Sequence, residues 1–124
     1  MSSRIDLTMF RNKAWSRDFV VYDLARQPIN LDNAVGIAFT VKDESCLPDS
    51  EPMIQAKLAD GITVVTVDSV KKARVQITAA KMDVPFDTSA GVYDLQVKLV
   101  GEEAEIACYG QITFLCPVLV GDPV

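Results

Sequence analysis

Tyr93-Asp94-Leu95-Gln96-Val97-Lys98-Leu99 alternates apolar and polar side chains without interruption. Successive side chains of an extended chain point to opposite faces. This period of two therefore buries Tyr93, Leu95, Val97 and Leu99 and leaves Asp94, Gln96 and Lys98 in water. The same rhythm recurs far upstream, in Ile5-Asp6-Leu7-Thr8-Met9 and in Val35-Gly36-Ile37-Ala38-Phe39-Thr40-Val41. Gly, Pro, Asp and Asn separate the runs, and no long segment follows the 3.6-residue period of a helix. The chain reads as a sheet protein.

Outward from that stretch, residues 104–115 return across a Gly101-Glu102-Glu103 hairpin turn, with Ile106, Cys108, Ile112, Phe114 and Cys116 on one face. Upstream, residues 5–10 make a first strand burying Ile5, Leu7 and Met9. Residues 18–22 make a second, burying Phe19 and Val21. Residues 26–33 are rich in turn formers. Residues 35–42 follow with Val35, Ile37, Phe39 and Val41 inward. The longest polar loop is 43–52, which holds Pro48 and Pro52. Residues 53–58 and 62–67 flank Asp60-Gly61, a tight hairpin signal, and 70–78 place Val75 and Ile77 inward. Thr78 can cap a short helical turn over 79–83, which Pro85 stops. About eight strands with regular turn signals predict one antiparallel β-sandwich domain over residues 1–124. Its core is expected at about 5–117, with a loosely held tail over 118–124. Gly36 inside its strand marks a bulge or a close backbone approach.

The 124 residues suit a single core, and 49% hydrophobic content excludes a disordered tail. No run reaches the roughly 18 apolar residues of a membrane helix, and the polar, alternating opening predicts synthesis in the cytosol. Seventeen acidic against 12 basic residues leave a net charge of −5, so nucleic acid is not an expected partner. The densest basic run, Lys71-Lys72-Ala73-Arg74, reads better as a solvated strand entry.

Catalysis finds little to work with. The chain has no His, so Ser and Cys lack their usual base. Asp6, Asp18, Asp23, Asp32, Asp43 and Asp94 are scattered over strand ends and turns rather than gathered as an acid pair or a calcium loop. The glycines are isolated and form no phosphate loop. Cys108 and Cys116 stand roughly 26 Å apart along a straight strand, too far for a disulfide. Together with Cys46 they are expected to be reduced, and no metal or cofactor site is predicted. Trp15 lies among Arg11, Lys13 and Arg17. It reads as a core ring at the sandwich end, or as an interface anchor with Arg11 and Arg17 beside it.

Four segments in order carry a family resemblance: Asp6-Leu7-Thr8-Met9-Phe10-Arg11, residues 23–31 (Asp23-Leu24-Ala25-Arg26-Gln27-Pro28-Ile29-Asn30-Leu31), residues 90–97 around Tyr93-Asp94-Leu95, and Tyr109-Gly110-Gln111-Ile112-Thr113-Phe114. The chain resembles small bacteriophage and prophage structural proteins, including the immunoglobulin-like amino-terminal domain of upper baseplate proteins. Two turns depart from that pattern. Arg11-Asn12-Lys13 stands where the family has Arg-Gly-Asp, and Ala25-Arg26-Gln27 lacks the glycine before Pro28. The resemblance implies an immunoglobulin-like sandwich and no catalytic residues. It also implies a virion component of tail or baseplate, synthesised in the bacterial cytoplasm, that self-associates and docks other phage structural proteins. A ligand- or carbohydrate-binding sandwich module is the alternative.

Overall fold

A computed structural model of the chain describes residues 2–43, 51–85 and 88–118. The loop positions 44–50, with Cys46, and the tail beyond 118 lie outside the described residues. The described residues form nine strands: β1 (Ser3–Arg4), β2 (Leu7–Phe10), β3 (Trp15–Phe19), β4 (Ala34–Asp43), β5 (Ile54–Leu58), β6 (Gly61–Val67), β7 (Val70–Ile77), β8 (Ala90–Leu99) and β9 (Glu105–Leu115). They join in the order β1-β9-β8-β4-β5-β6-β7-β3, with β2 also on β9. The alternating stretch 93–99 lies in an interior strand of the sheet, antiparallel to both β4 and β9.

The sheet is mixed, which corrects the antiparallel expectation. β1 and β2 run parallel to β9, with Leu7 opposite Ile112 and Met9 opposite Phe114. A tight turn forces its two strands to be antiparallel, but no turn links β2 to β9, so local sequence leaves their direction open. The sheet also curls. β3 and β4 lie four places apart in the strand order, yet Trp15 stacks on Phe39 at 5.6 Å and Phe19 lies 6.1 Å from the same ring. Tyr93 closes the cluster 5.3 Å from Phe39. Met9, Leu31, Ile62, Ile77, Met82, Leu95 and Ile112 fill the space inside the curl.

Two bulges displace side chains from the expected rows. The β4–β8 register shifts between Ala34 and Gly36, and Val35 is turned out to 58% exposure. The β8–β9 register shifts as Leu95 pairs with Cys108 and Gln96 with Ile106, so Ile106 leaves the buried face. Cys116 lies past the end of β9 and is exposed, whereas Cys108 is buried. Asp60-Gly61 does not reverse the chain. β6 departs parallel to β5 after a short jog, with Ala59 and Gly61 at φ 68° and 96°. The reversal comes at Asp68-Ser69, both left-handed at φ 51° and 66°, the geometry of a two-residue hairpin turn. The expected helical turn forms as a 3-10 turn over Ala79–Met82, with the Thr78 hydroxyl accepting from the Lys81 N–H. A second 3-10 turn, Leu31–Asn33, is capped by Asn30 and buries Leu31.

Candidate functional site

Residues from three of the four segments singled out in the sequence meet where the amino-terminal strands join β9. The Gln111 N–H donates to Asp6 Oδ1 at 3.0 Å, and the Tyr93 hydroxyl donates to the Ile5 carbonyl. Gly110 lies directly beneath Ile5, where a Cβ would fall 2.2 Å from the Ile5 carbonyl oxygen. Chiefly the Gln111 N–H, with help from Arg4, holds the Asp6 carboxyl below the ordinary carboxylate range. Burial, then the contact with Cys108, keeps the Tyr93 phenol protonated far into alkali. Burial likewise pushes the Cys108 thiol up, against the 3.2 Å contact with the Tyr93 hydroxyl. These groups form a structural lock, not a reactive pair.

A groove of about 680 Å³ opens on the outer face of the same strands. Period-two alternation sends Thr40 and Lys42 from β4, Asp94 and Gln96 from β8, and Tyr109 and Gln111 from β9 onto this face, with Arg4 and Gln55 also lining it. The amide of Gln96 donates to Asp94 Oδ2 at 3.1 Å, and that of Gln55 to the Thr40 hydroxyl at 3.2 Å. Tyr109 is 43% exposed. An aromatic ring among preset amides and hydroxyls is equipped to bind by stacking and hydrogen bonding.

The acidic residues marked in the sequence are dispersed. Asp18 takes two hydrogen bonds from Arg74 at 2.8 and 3.1 Å, which lower its pKa. Asp32 pairs with Lys71, and Asp23 accepts from the Gln27 N–H. Lys71 and Arg74 are thereby engaged and Ala73 is buried, so two of the three charges of the basic run are paired on the strand. Among the described residues no three His, Cys, Asp or Glu gather as a metal centre would require.

Trp15, Arg11 and Arg17 do not form one surface. Trp15 packs its ring on Phe39 inside the curl. Arg11 is 8% exposed: its Nη2 donates to the Thr88 carbonyl, and its Nε has no partner among the described residues. It ties the turn after β2 to the approach to β8, a buried internal contact rather than an exposed surface. Arg17 is exposed, its guanidinium 5.6 Å from the Phe19 ring centre. On the terminal strand β3 it shares the face of Trp15 and Phe19, a charge placed where it discourages edge-to-edge pairing.

No protein-family model and no curated protein matches the chain. Among solved structures it is similar to the inferred receptor binding domain of human endogenous retrovirus envelope EnvP(b)1, with a TM-score of 0.51 at 14% identity. The match covers 97% of this chain and 99% of that one. An endo-fucoidan hydrolase from glycoside hydrolase family 107 aligns with 93% of this chain but only 13% of its own, at 13% identity and a TM-score of 0.44. At such identities the first likeness concerns the arrangement of strands alone, and the second is too distant to carry an argument.

Proposed function

We propose that the chain is a non-catalytic docking module of a bacteriophage or prophage particle, in its tail or baseplate, working by self-association and contact with other structural proteins. One observation carries this reading. The two turns that depart from the family pattern are left-handed where that pattern has glycine: Asn12 has φ 60° and Arg26 has φ 59°. A positive φ is the conformation that makes glycine the default residue. The backbone thus keeps the geometry of the pattern where the residues differ. The lock of Asp6, Tyr93 and Gly110-Gln111 adds support, because three of the four resemblance segments hold one another there. In this reading the curled sheet is an immunoglobulin-like sandwich, with β9-β8-β4-β5 as one layer and β6-β7-β3 as the other.

Particles purified from an inducible lysogen carrying the gene test the proposal by mass spectrometry. The expected result is the chain in particles or in assembly intermediates. Expression without incorporation in either overturns it. The second reading, a ligand- or carbohydrate-binding module, is favoured by the groove holding Tyr109, Asp94, Gln96 and Gln111. Glycan binding by the isolated chain that is lost in Tyr109→Ala would select that reading.

A further inference from the structure

A second groove, of about 380 Å³, opens at the end of the curl that holds the turn between β8 and β9. Its floor is apolar: Val21 and Val97 are buried, and Ile29, Leu99 and Ala107 pack against the core. Large apolar side chains line it within reach of water, with Tyr22 at 40%, Ile106 at 46% and Leu24 at 88% exposure. A leucine so exposed gains nothing from folding, and an apolar patch beside a formed cavity is the usual mark of a contact surface.

The charged side chains lining this groove are all acidic: Asp23, Glu102, Glu103 and Glu105. Among the described residues no Lys or Arg forms an ion pair with any of the four. The β8–β9 bulge helps to place them. Past the register shift Glu105 falls opposite Val97, an inner-face residue, so its carboxylate belongs to the row that faces the mouth of the curl. Four like charges around an apolar floor repel one another and gain from a cation that brings apolar surface with it.

We propose that this groove docks a lysine- or arginine-rich segment of a partner protein, with an apolar side chain of that segment seated against Leu24, Tyr22 and Ile106. A second copy is disfavoured. The chain carries a net charge of −5, and two of its cationic side chains, Lys71 and Arg74, are engaged by Asp32 and Asp18. The inference deepens the docking reading above and rests on it for the existence of a protein partner. It adds a surface that adjoins the Tyr109 groove at Ile106, which lines both.

The probe is a fluorescein-labelled nonapeptide alternating lysine with leucine, followed by fluorescence anisotropy on the full chain. Two controls replace its leucines with serine or its lysines with glutamate. The lysine–leucine peptide should bind, and binding should weaken at least tenfold in E102K/E103K/E105K and in Leu24→Ser. Glu51→Lys, an exposed acid outside the groove, should leave binding unchanged. These substitutions are at exposed positions, so each variant should melt with the parent protein. Equal binding of the lysine–serine peptide, or equal loss in Glu51→Lys, would reduce the effect to net charge and overturn the proposal. So would failure of the lysine–leucine peptide to bind, or self-association of the parent chain that the triple variant abolishes. Particle incorporation separates this claim from the broader one. If the chain enters particles and the triple variant enters equally well, the groove proposal fails and the structural role stands. If the parent chain never enters, the structural role fails, and the peptide alone decides the chemistry of the groove.

Discussion

Gly110 has no room for a side chain, because the Ile5 backbone passes directly over it. A Cβ would meet a carbonyl oxygen held in place by the Tyr93 hydroxyl, so the obstacle is backbone rather than a flexible side-chain end. Gly110→Ala is expected to lift β1 and β2 off β9 and to cost about 2–3 kcal/mol in urea denaturation. An unchanged midpoint would mean that the amino-terminal strands yield freely. The cysteines differ just as locally. Cys108 is buried, with its thiol pKa raised by that burial, while Cys116 is exposed beyond the strand. Peptide mapping after brief alkylation of the native chain should find Cys116 modified and Cys108 protected until denaturant is added. Modification of Cys108 at the rate of Cys116 would contradict the buried Tyr93–Cys108 contact. Neither behaviour is written in the sequence, where both residues fall on one apparent apolar row.

At the scale of the element, β3 is held to the sheet by one neighbour, β7, and across that pair Asp18 and Arg74 face each other in register. The bidentate contact lowers the Asp18 pKa in the folded state. A carboxylate so shifted adds stability that is fully present above the unfolded carboxylate range and fades as pH falls through the lower, folded value. Asp18→Asn should therefore destabilise by about 0.5–1 kcal/mol at neutral pH, a modest figure because Arg74 stays partly in water. The gap to the parent chain should begin to narrow below about pH 4 and go on closing as pH falls through the lower, folded value. Denaturation midpoints at pH 7 and pH 3 check this, and a gap no smaller at pH 3 than at pH 7 would assign the loss to something other than the ion pair. The existence of β3, β4 and β7 to β9 was legible from alternation, but their bounds were less so. The second strand runs from Trp15 to Phe19 rather than over 18–22, because pairing with β7 selects the residues that become strand.

Across the whole molecule, the contact of Trp15 and Phe19 with Phe39 brings the last strand of the sheet back over its middle. Removing Trp15 should loosen the curl rather than one docking surface. Trp15→Ala is expected to cost about 3 kcal/mol, toward the lower end for a large aromatic because the ring is only half buried. Thermal unfolding tests it. Full stability, with loss of partner binding alone, would return Trp15 to the interface role that the sequence also allowed.

Period two, read over 93–99, 35–41 and 5–9, was enough to establish a sheet protein, because alternation of faces is a property of each strand by itself. The 3-10 turn capped by Thr78 and the hairpin turn at Gly101 were equally local and equally legible. What lay beyond the sequence depended on neighbours remote along the chain: the parallel docking of β1 and β2 on β9, the bulges that expose Val35 and Ile106, and the curl that buries Arg11 and half-buries Trp15. The two grooves belong to the same class. Tyr109 joins Asp94, and Leu24 joins Glu105, only after strands pair and the sheet closes on itself. A strand's own alternation says which side chains share a face. Which faces come to enclose a groove is decided by pairing and curvature, and those are set by the packing of the completed core.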